Sequence, residues 1–320
     1  MKFPLLLTSM VPALICVAGC DPAAAQSQPN SPPRATDVLD GTAAVLRARI
    51  APPHEETVAA YRESGAVDAS AHPLTEREWT RVERAIADLP PLHREVLERR
   101  LARLSFIDAP SSAGTALTRA SDGPDGGSLF DITIRADVLD KSLSDFLTEK
   151  ESTLFSDDGS GLGVRFRAGE APALTYLLLH EATHVVDRTF GVSTEMRPFR
   201  VLWVDYRDLA APYATGPMGV TTYRRGQPIP LAQSPALYEA LGASPFVSLY
   251  STASAGEDLA ELVAWSHLSR LNIPLTVEVR DAAGRAVVAV EPLKSPAVQA
   301  RLAVADAVLA RAGARPSRAP

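Results

Sequence analysis

The chain has 320 residues, 46% hydrophobic and 22% charged, a globular composition with enough interior for a sizeable core. Its net charge of −6 excludes a broad nucleic-acid-binding surface. The only two cysteines are Cys16 and Cys20, so nothing downstream can be a disulfide framework, a cysteine nucleophile or a thiolate metal site. Any metal must be held by His, Asp or Glu, and there are six histidines to choose from.

Residues 1–19 read as a signal peptide. Lys2 is a minimal basic start, and Leu5 to Val17 is an apolar run interrupted by Pro12, too short to span a bilayer as a helix. The run ends Val17-Ala18-Gly19-Cys20, which resembles the bacterial lipobox, whose cysteine is lipidated and becomes the mature N-terminus. The resemblance implies a lipid anchor on Cys20, stable when it carries two or more acyl chains. The protein is then expected at the bacterial cell envelope, tethered on the periplasmic or extracellular face. A secretory signal with a chance cysteine is the alternative. Residues 20–37, rich in Pro, Ala, Ser and Gln, read as a flexible tether.

Residues 38–103 read as a helical N-terminal region. Thr75 and Glu78 form a capping-box pair, followed by Trp79, Val82, Ile86 and Leu89 at helical spacing. Pro90-Pro91 ends that helix, and Leu92, Val96, Leu97, Leu101 and Leu104 mark the next. Leu104 to Ile107 is a short strand candidate. Leu129 to Arg135 alternates apolar and polar residues, as a half-buried strand does. The intervening Ser121–Gly127 reads as a loop, and Asp137 to Lys150 as a helix. Asp157-Asp158-Gly159-Ser160-Gly161 lacks EF-hand spacing and is expected to be an ordinary loop.

The chemistry sits at His180-Glu181-Ala182-Thr183-His184, an H-E-x-x-H motif among helix formers. On a helix, positions i and i+4 share a face, so both imidazoles can reach one zinc ion. Glu181 is then close enough to act on water bound there. Leu177, Leu178, Leu179, Val185 and Val186 make the helix apolar on most sides, and polar groups buried in it are costly unless paired or metal-bound.

With this motif the chain resembles the zincin metallopeptidases. The positions after His184 exclude the metzincin branch, since Asp187 and Phe190 stand where that branch has Gly and a third His. Downstream, Ser254-Ala255-Gly256-Glu257-Asp258-Leu259-Ala260-Glu261 resembles the glutamate helix of gluzincins such as thermolysin. The resemblance implies Glu257 as third metal ligand and Glu261 as the acceptor behind a ligand histidine. Two alternatives stay open: Ser254 and Glu257 also make a capping box, and Asp258 is a rival ligand. Asp187 is a weaker rival and a candidate supporting carboxylate. Tyr250 is a candidate donor to a developing oxyanion, or else a packed core tyrosine. His267 is read as structural. The insert between the two motifs carries Trp203, Tyr206, Tyr213, Tyr223 and Tyr238, and is expected to shape or cover a cleft.

The tail reads as a hairpin, Leu275 to Arg280 and Ala286 to Val290, around Gly284, then a helix from Ser295-Pro296. The expected fold is therefore α+β: a zincin-like catalytic domain over residues 104–315, with a small mixed sheet and extra N-terminal helices. By resemblance, the strand at Phe130–Arg135 would be an edge along which an extended peptide binds. The expected function is zinc-dependent hydrolysis of a peptide or protein substrate, with Zn2+ as cofactor and no nucleic-acid partner. The competing expectation is a non-catalytic envelope lipoprotein that uses the same domain for binding.

Overall fold

A computed structural model describes residues 35–124, 126–195 and 201–314. The signal peptide, Cys20 and most of the expected tether lie outside the described residues. The described chain is a mixed α+β protein in two compact units, one of the described residues up to 139 with 313–314, the other of those from 140 to 312.

The first unit carries α1 (Ala35–Arg47), α2 (Glu55–Glu63), β1 (Ser70–Ala71), α3 (Glu76–Ala87), α4 (Pro91–Arg100), β2 (Leu101–Asp108), β3 (Ala116–Asp122) and β4 (Ser128–Arg135). Helix α3 starts at a complete capping box: Glu78 N–H donates to Thr75 Oγ1, and Thr75 N–H donates to the Glu78 carboxylate at 2.8 Å. Its Trp79, Val82 and Ile86 are buried, each worth about 1.5–3 kcal/mol in removed apolar surface. Helix α4 starts on Pro91 and stops at Arg100, not at Leu104. Leu101 and Leu104 lie instead in β2, where Leu104 faces Ile132 and Phe106 faces Ile134 of β4. The spacing of residues 97, 101 and 104 suits a helix, but strand pairing decides.

The sheet order is β1-β2-β4-β3, with β2 parallel and β3 antiparallel to β4. Strand β4 is thus interior, paired on both sides, and is not the peptide-binding edge expected of Phe130–Arg135. The missing neighbour is β3, whose polar sequence Ala-Leu-Thr-Arg-Ala-Ser-Asp carries no apolar alternation. Both faces of β4 are covered. Thr133 Oγ1 and Ser105 Oγ lie 2.8 Å apart, and buried Arg135 donates to Asp137 and to the carbonyls of Ser111 and Ala113. The β3–β4 turn uses Gly126 in the left-handed region, φ 74°.

The second unit contains α5 (Leu143–Ser152), β5 (Phe155–Ser156), β6 (Gly163–Arg167), α6 (Ala173–Phe190), α7 (Val192–Glu195), β7 (Ile229–Pro230), α8 (Ser234–Gly242), α9 (Ala255–Arg270), β8 (Thr276–Arg280), β9 (Ala286–Val290) and α10 (Pro296–Ala314). Helix α5 begins later than expected, because Ser142 caps it through the Asp145 N–H; residues 136–139 form a separate turn. Strands β6-β8-β9 make an antiparallel sheet, and the expected hairpin at Gly284 is its β8–β9 pair. The Asp157–Gly161 loop is an ordinary turn, its carboxylates accepting from Gly159, Ser160 and Ala232 N–H groups.

Helix α6 is buried almost throughout and packs against α9, itself buried over most of its length. Gly191, in the left-handed conformation, ends α6. A buried ion pair locks α9 to α10: Arg301 Nη2 lies 2.5 Å from Asp258 Oδ2, and Arg301 Nη1 donates to the Pro245 carbonyl. Trp203 Nε1 donates to the same Asp258 oxygen at 3.1 Å. Burial pushes the Asp258 carboxyl up, and Arg301 and Trp203 oppose it. Arg301→Met leaves that carboxylate buried without its cation. The expected cost is about 3–5 kcal/mol, read as a lower denaturation midpoint in urea.

Candidate metal centre

Helix α6 presents His180 and His184 one turn apart, and the first turn of α9 brings Glu257 to them. Glu257 Oε2 lies 2.9 Å from His180 Nε2 and 3.4 Å from His184 Nε2. The two Nε2 atoms are 3.2 Å apart, with the rings nearly perpendicular at 82°. These three side chains offer ligand atoms all within 4.8 Å of one another, and are the one such group found among the described residues. Two imidazole nitrogens and a carboxylate oxygen converging in a mostly buried setting match the donor set of a three-ligand divalent-metal site.

Behind His180 stands Glu261, one turn along α9 from Glu257. Its Oε1 is 2.9 Å from His180 Nδ1, within ion-pair reach, although the ring N–H is not aligned for a full hydrogen bond. Tyr176 donates to the same oxygen, while Ser248 Oγ and Trp265 Nε1 donate to Oε2 at 2.7 and 3.2 Å. Burial pushes the Glu261 carboxyl up, but His180, the charge of Lys150 and the Tyr176 hydroxyl bring it down to about 2. For His180, burial favours the neutral ring, yet Glu257 and Glu261 together raise it to about 10. Burial likewise opposes the Glu257 charge, but the two histidines hold that carboxyl well below the usual range. A carboxylate on each side of one imidazole fixes its tautomer and orientation.

Glu181 follows His180 on α6 and is buried. Tyr250 lies in the turn before α9, partly buried, its ring 5.8 Å from that of His180. Burial raises its phenol well above the ordinary value, helped by the charges of Glu257, Glu181 and Glu261 and by a hydrogen bond to Glu257. Tyr250 is therefore gathered at the centre with the triad. The other candidates are turned elsewhere. Asp258 faces Trp203 and Arg301, away from the imidazoles. The Asp187 carboxylate accepts from the Ser193 N–H at 2.7 Å and the Ser193 hydroxyl at 2.8 Å, so it caps α7 rather than joining the triad. His267 sits near the end of α9, half-buried.

Several residues at the site escaped the sequence reading. Tyr176 stands one turn before His180 on α6, and the stripe of residues 176, 180 and 184 was a usable signal. Ser248 and Lys150 had none. The Lys150 ammonium sits 3.4 Å from the Tyr250 ring centroid, and Tyr223 meets the same ring edge-on at 5.0 Å. Beside Lys150, Glu151 is buried and accepts from Tyr238 at 2.6 Å and Tyr223 at 3.3 Å.

No family model matches the chain, and no curated protein or solved structure matches it either.

Burial raises Glu151 to about 7, against the hydrogen bond from Tyr238 and the charge of Lys150. A carboxyl raised this way binds more protons folded than unfolded between the unfolded value of 4.5 and the folded value of about 7. Its contribution to stability therefore falls as pH rises through that window and is flat above it. Glu151→Gln removes this slope, worth up to about 3 kcal/mol. Urea unfolding of both proteins at pH 5 and pH 8 measures the difference.

Proposed function

We propose that the chain is a zinc-dependent peptidase of the gluzincin kind, hydrolysing peptide bonds at the bacterial cell envelope. The observation that carries this reading is the meeting of both H-E-x-x-H imidazoles with Glu257, backed by Glu261 behind His180. The donors suit zinc: two neutral imidazoles and one carboxylate leave a position for water, as catalytic rather than closed structural sites do. When bound, zinc would supply Lewis-acid polarisation of the scissile carbonyl and a lowered pKa for water.

The remaining work falls to the chain's own residues. His180, His184 and Glu257 would hold the ion, and Glu261 would keep the His180 ring oriented. Glu181 accepts the proton of the attacking water and delivers it to the leaving amine. Tyr250 donates from its hydroxyl to the oxygen on which charge develops, an interaction made in the transition state and not in the ground state. The cell-envelope location rests on the lipobox-like Val17–Cys20. On that resemblance a lipid on Cys20 would be the means of attachment; no described helix is long and apolar enough to cross a membrane.

Elemental mass spectrometry of the purified protein is expected to find about one zinc per chain. His184→Ala is expected to lose it. Glu181→Gln should keep the zinc and lower cleavage of an unfolded protein substrate such as casein by at least about a hundredfold. Wild-type turnover in Glu181→Gln overturns its role, and a wild-type chain that takes up no zinc overturns the reading as a whole.

Because His180 is protonated up to about pH 10 when the site holds no ion, zinc must expel a proton at pH 7. Calorimetric titrations in buffers of different ionisation enthalpy should show release of about one proton per zinc bound. Affinity is then expected to weaken as pH falls, with no proton release if His180 is already neutral.

A further inference from the structure

The insert between the two motifs fastens the very turn that carries Glu257. Residues 202–210 form a tight hairpin: Trp203 and Leu209 pair antiparallel, and Val204 N–H donates to the Asp208 carbonyl at 2.7 Å. Asp205 Oδ1 closes its tip by accepting from the Arg207 and Asp208 N–H groups. The base of the hairpin reaches α9 through Trp203, whose indole donates to Asp258. Its tip reaches α9 through Tyr206. The Tyr206 carbonyl accepts from the Ala255 N–H at 2.9 Å, and the Tyr206 phenol lies within hydrogen-bond reach of the Ser254 hydroxyl. Ser254 Oγ in turn accepts from the Glu257 N–H at 3.2 Å. The phenol also rests on Gly256 so closely that a Cβ there would overlap its oxygen.

The hairpin thus holds residues 254, 255, 256 and 258, and leaves Glu257 to face the imidazoles. Tyr206 is 45% exposed, so its ring fills no core and its contacts with α9 are its clearest physical role. We propose that Tyr206 is the positioning residue for Glu257: it fixes the first turn of α9 so that the carboxylate meets His180 and His184, and its phenol fills the space that a Cβ at position 256 would take. The proposal rests on the metal-binding reading above, and extends it to a residue that touches neither ion nor substrate.

Alanine is ordinarily the better helix former, so Gly256→Ala should help α9 unless the phenol stands in the way. Zinc affinity would be measured by competition with a chromophoric chelator for four proteins: Tyr206→Ala, Gly256→Ala, the double variant and wild type. Gly256→Ala is expected to weaken zinc binding by about tenfold or more, in the range of lost outer-shell support. Tyr206→Ala is expected to weaken it severalfold. In the double variant the glycine substitution should cost nothing further, because the clash is gone. Amide hydrogen exchange with zinc chelated away gives a second reading that needs no ion: exchange at Glu257, whose N–H is held by Ser254, should speed up in Tyr206→Ala, while the core of α6 stays protected.

Wild-type affinity and wild-type exchange in Tyr206→Ala overturn the proposal. So do costs of Tyr206→Ala and Gly256→Ala that simply add. If wild type binds no zinc, the peptidase reading falls, and the exchange comparison alone decides whether Tyr206 holds the turn.

Discussion

The second unit is organised around one expensive arrangement: ionised carboxylates of α9 facing imidazoles of α6 inside a buried helix pair. Burial alone disfavours every charge there. Glu261 is almost wholly buried, and is held ionised against that burial by His180, by the charge of Lys150 and by the Tyr176 hydroxyl, while Ser248 and Trp265 donate to its other oxygen. Were one of these donors apolar, the burial of that carboxyl would be less well opposed. The precision of the triad is therefore a property of the shell around it. That shell draws on α6, on α9 and on the turn that leads into α9.

The same logic separates neighbouring acids that look alike in sequence. Glu257, Asp258 and Glu261 lie within five consecutive positions, yet the helix sends them to different tasks. Residues 257 and 261 share a face and meet α6. Asp258 points about a hundred degrees away, toward Trp203 and Arg301, and ties α9 to α10 and to the insert. Of the two rivals, Glu257 is the carboxylate that lies beside the imidazoles, and Asp258 is engaged by Trp203 and Arg301. Asp187 shows the converse. It sits one turn short of the end of α6, where capping Ser193 satisfies both of its oxygens.

Much of the local structure was legible because it is written at short range. The capping box at Thr75, the proline start of α4, the Gly284 hairpin and the i, i+4 histidines are all properties of a few consecutive residues. Glu257 and Glu261 were reachable only through a resemblance, because nothing local says which distant helix will face His180. Illegible were features set by pairing across the chain. Leu101 and Leu104 fit a helical stripe until β4 claims them, and the polar β3 becomes a strand only because β4 offers it a free edge. Lys150, Ser248 and Tyr206 carry no motif, and reach the α6–α9 pair by folding alone.

His180 stands between two carboxylates, Glu257 at Nε2 and Glu261 at Nδ1. That geometry suits any cation placed on the ring's Nε2 side, and without a metal the proton fills the role, which is why the ring is raised to about 10. A proton satisfies one nitrogen and one oxygen. The second imidazole, His184, lies 3.2 Å from His180 Nε2 and 3.4 Å from Glu257. A divalent ion is the one kind of species that engages both imidazoles and the carboxylate together. A proton and a divalent ion would share the space between His180 Nε2 and Glu257, and the ion would draw on His184 as well. Glu261, on the far side of the ring, favours both occupants, since it stabilises positive charge on His180 and also steers its Nε2 lone pair.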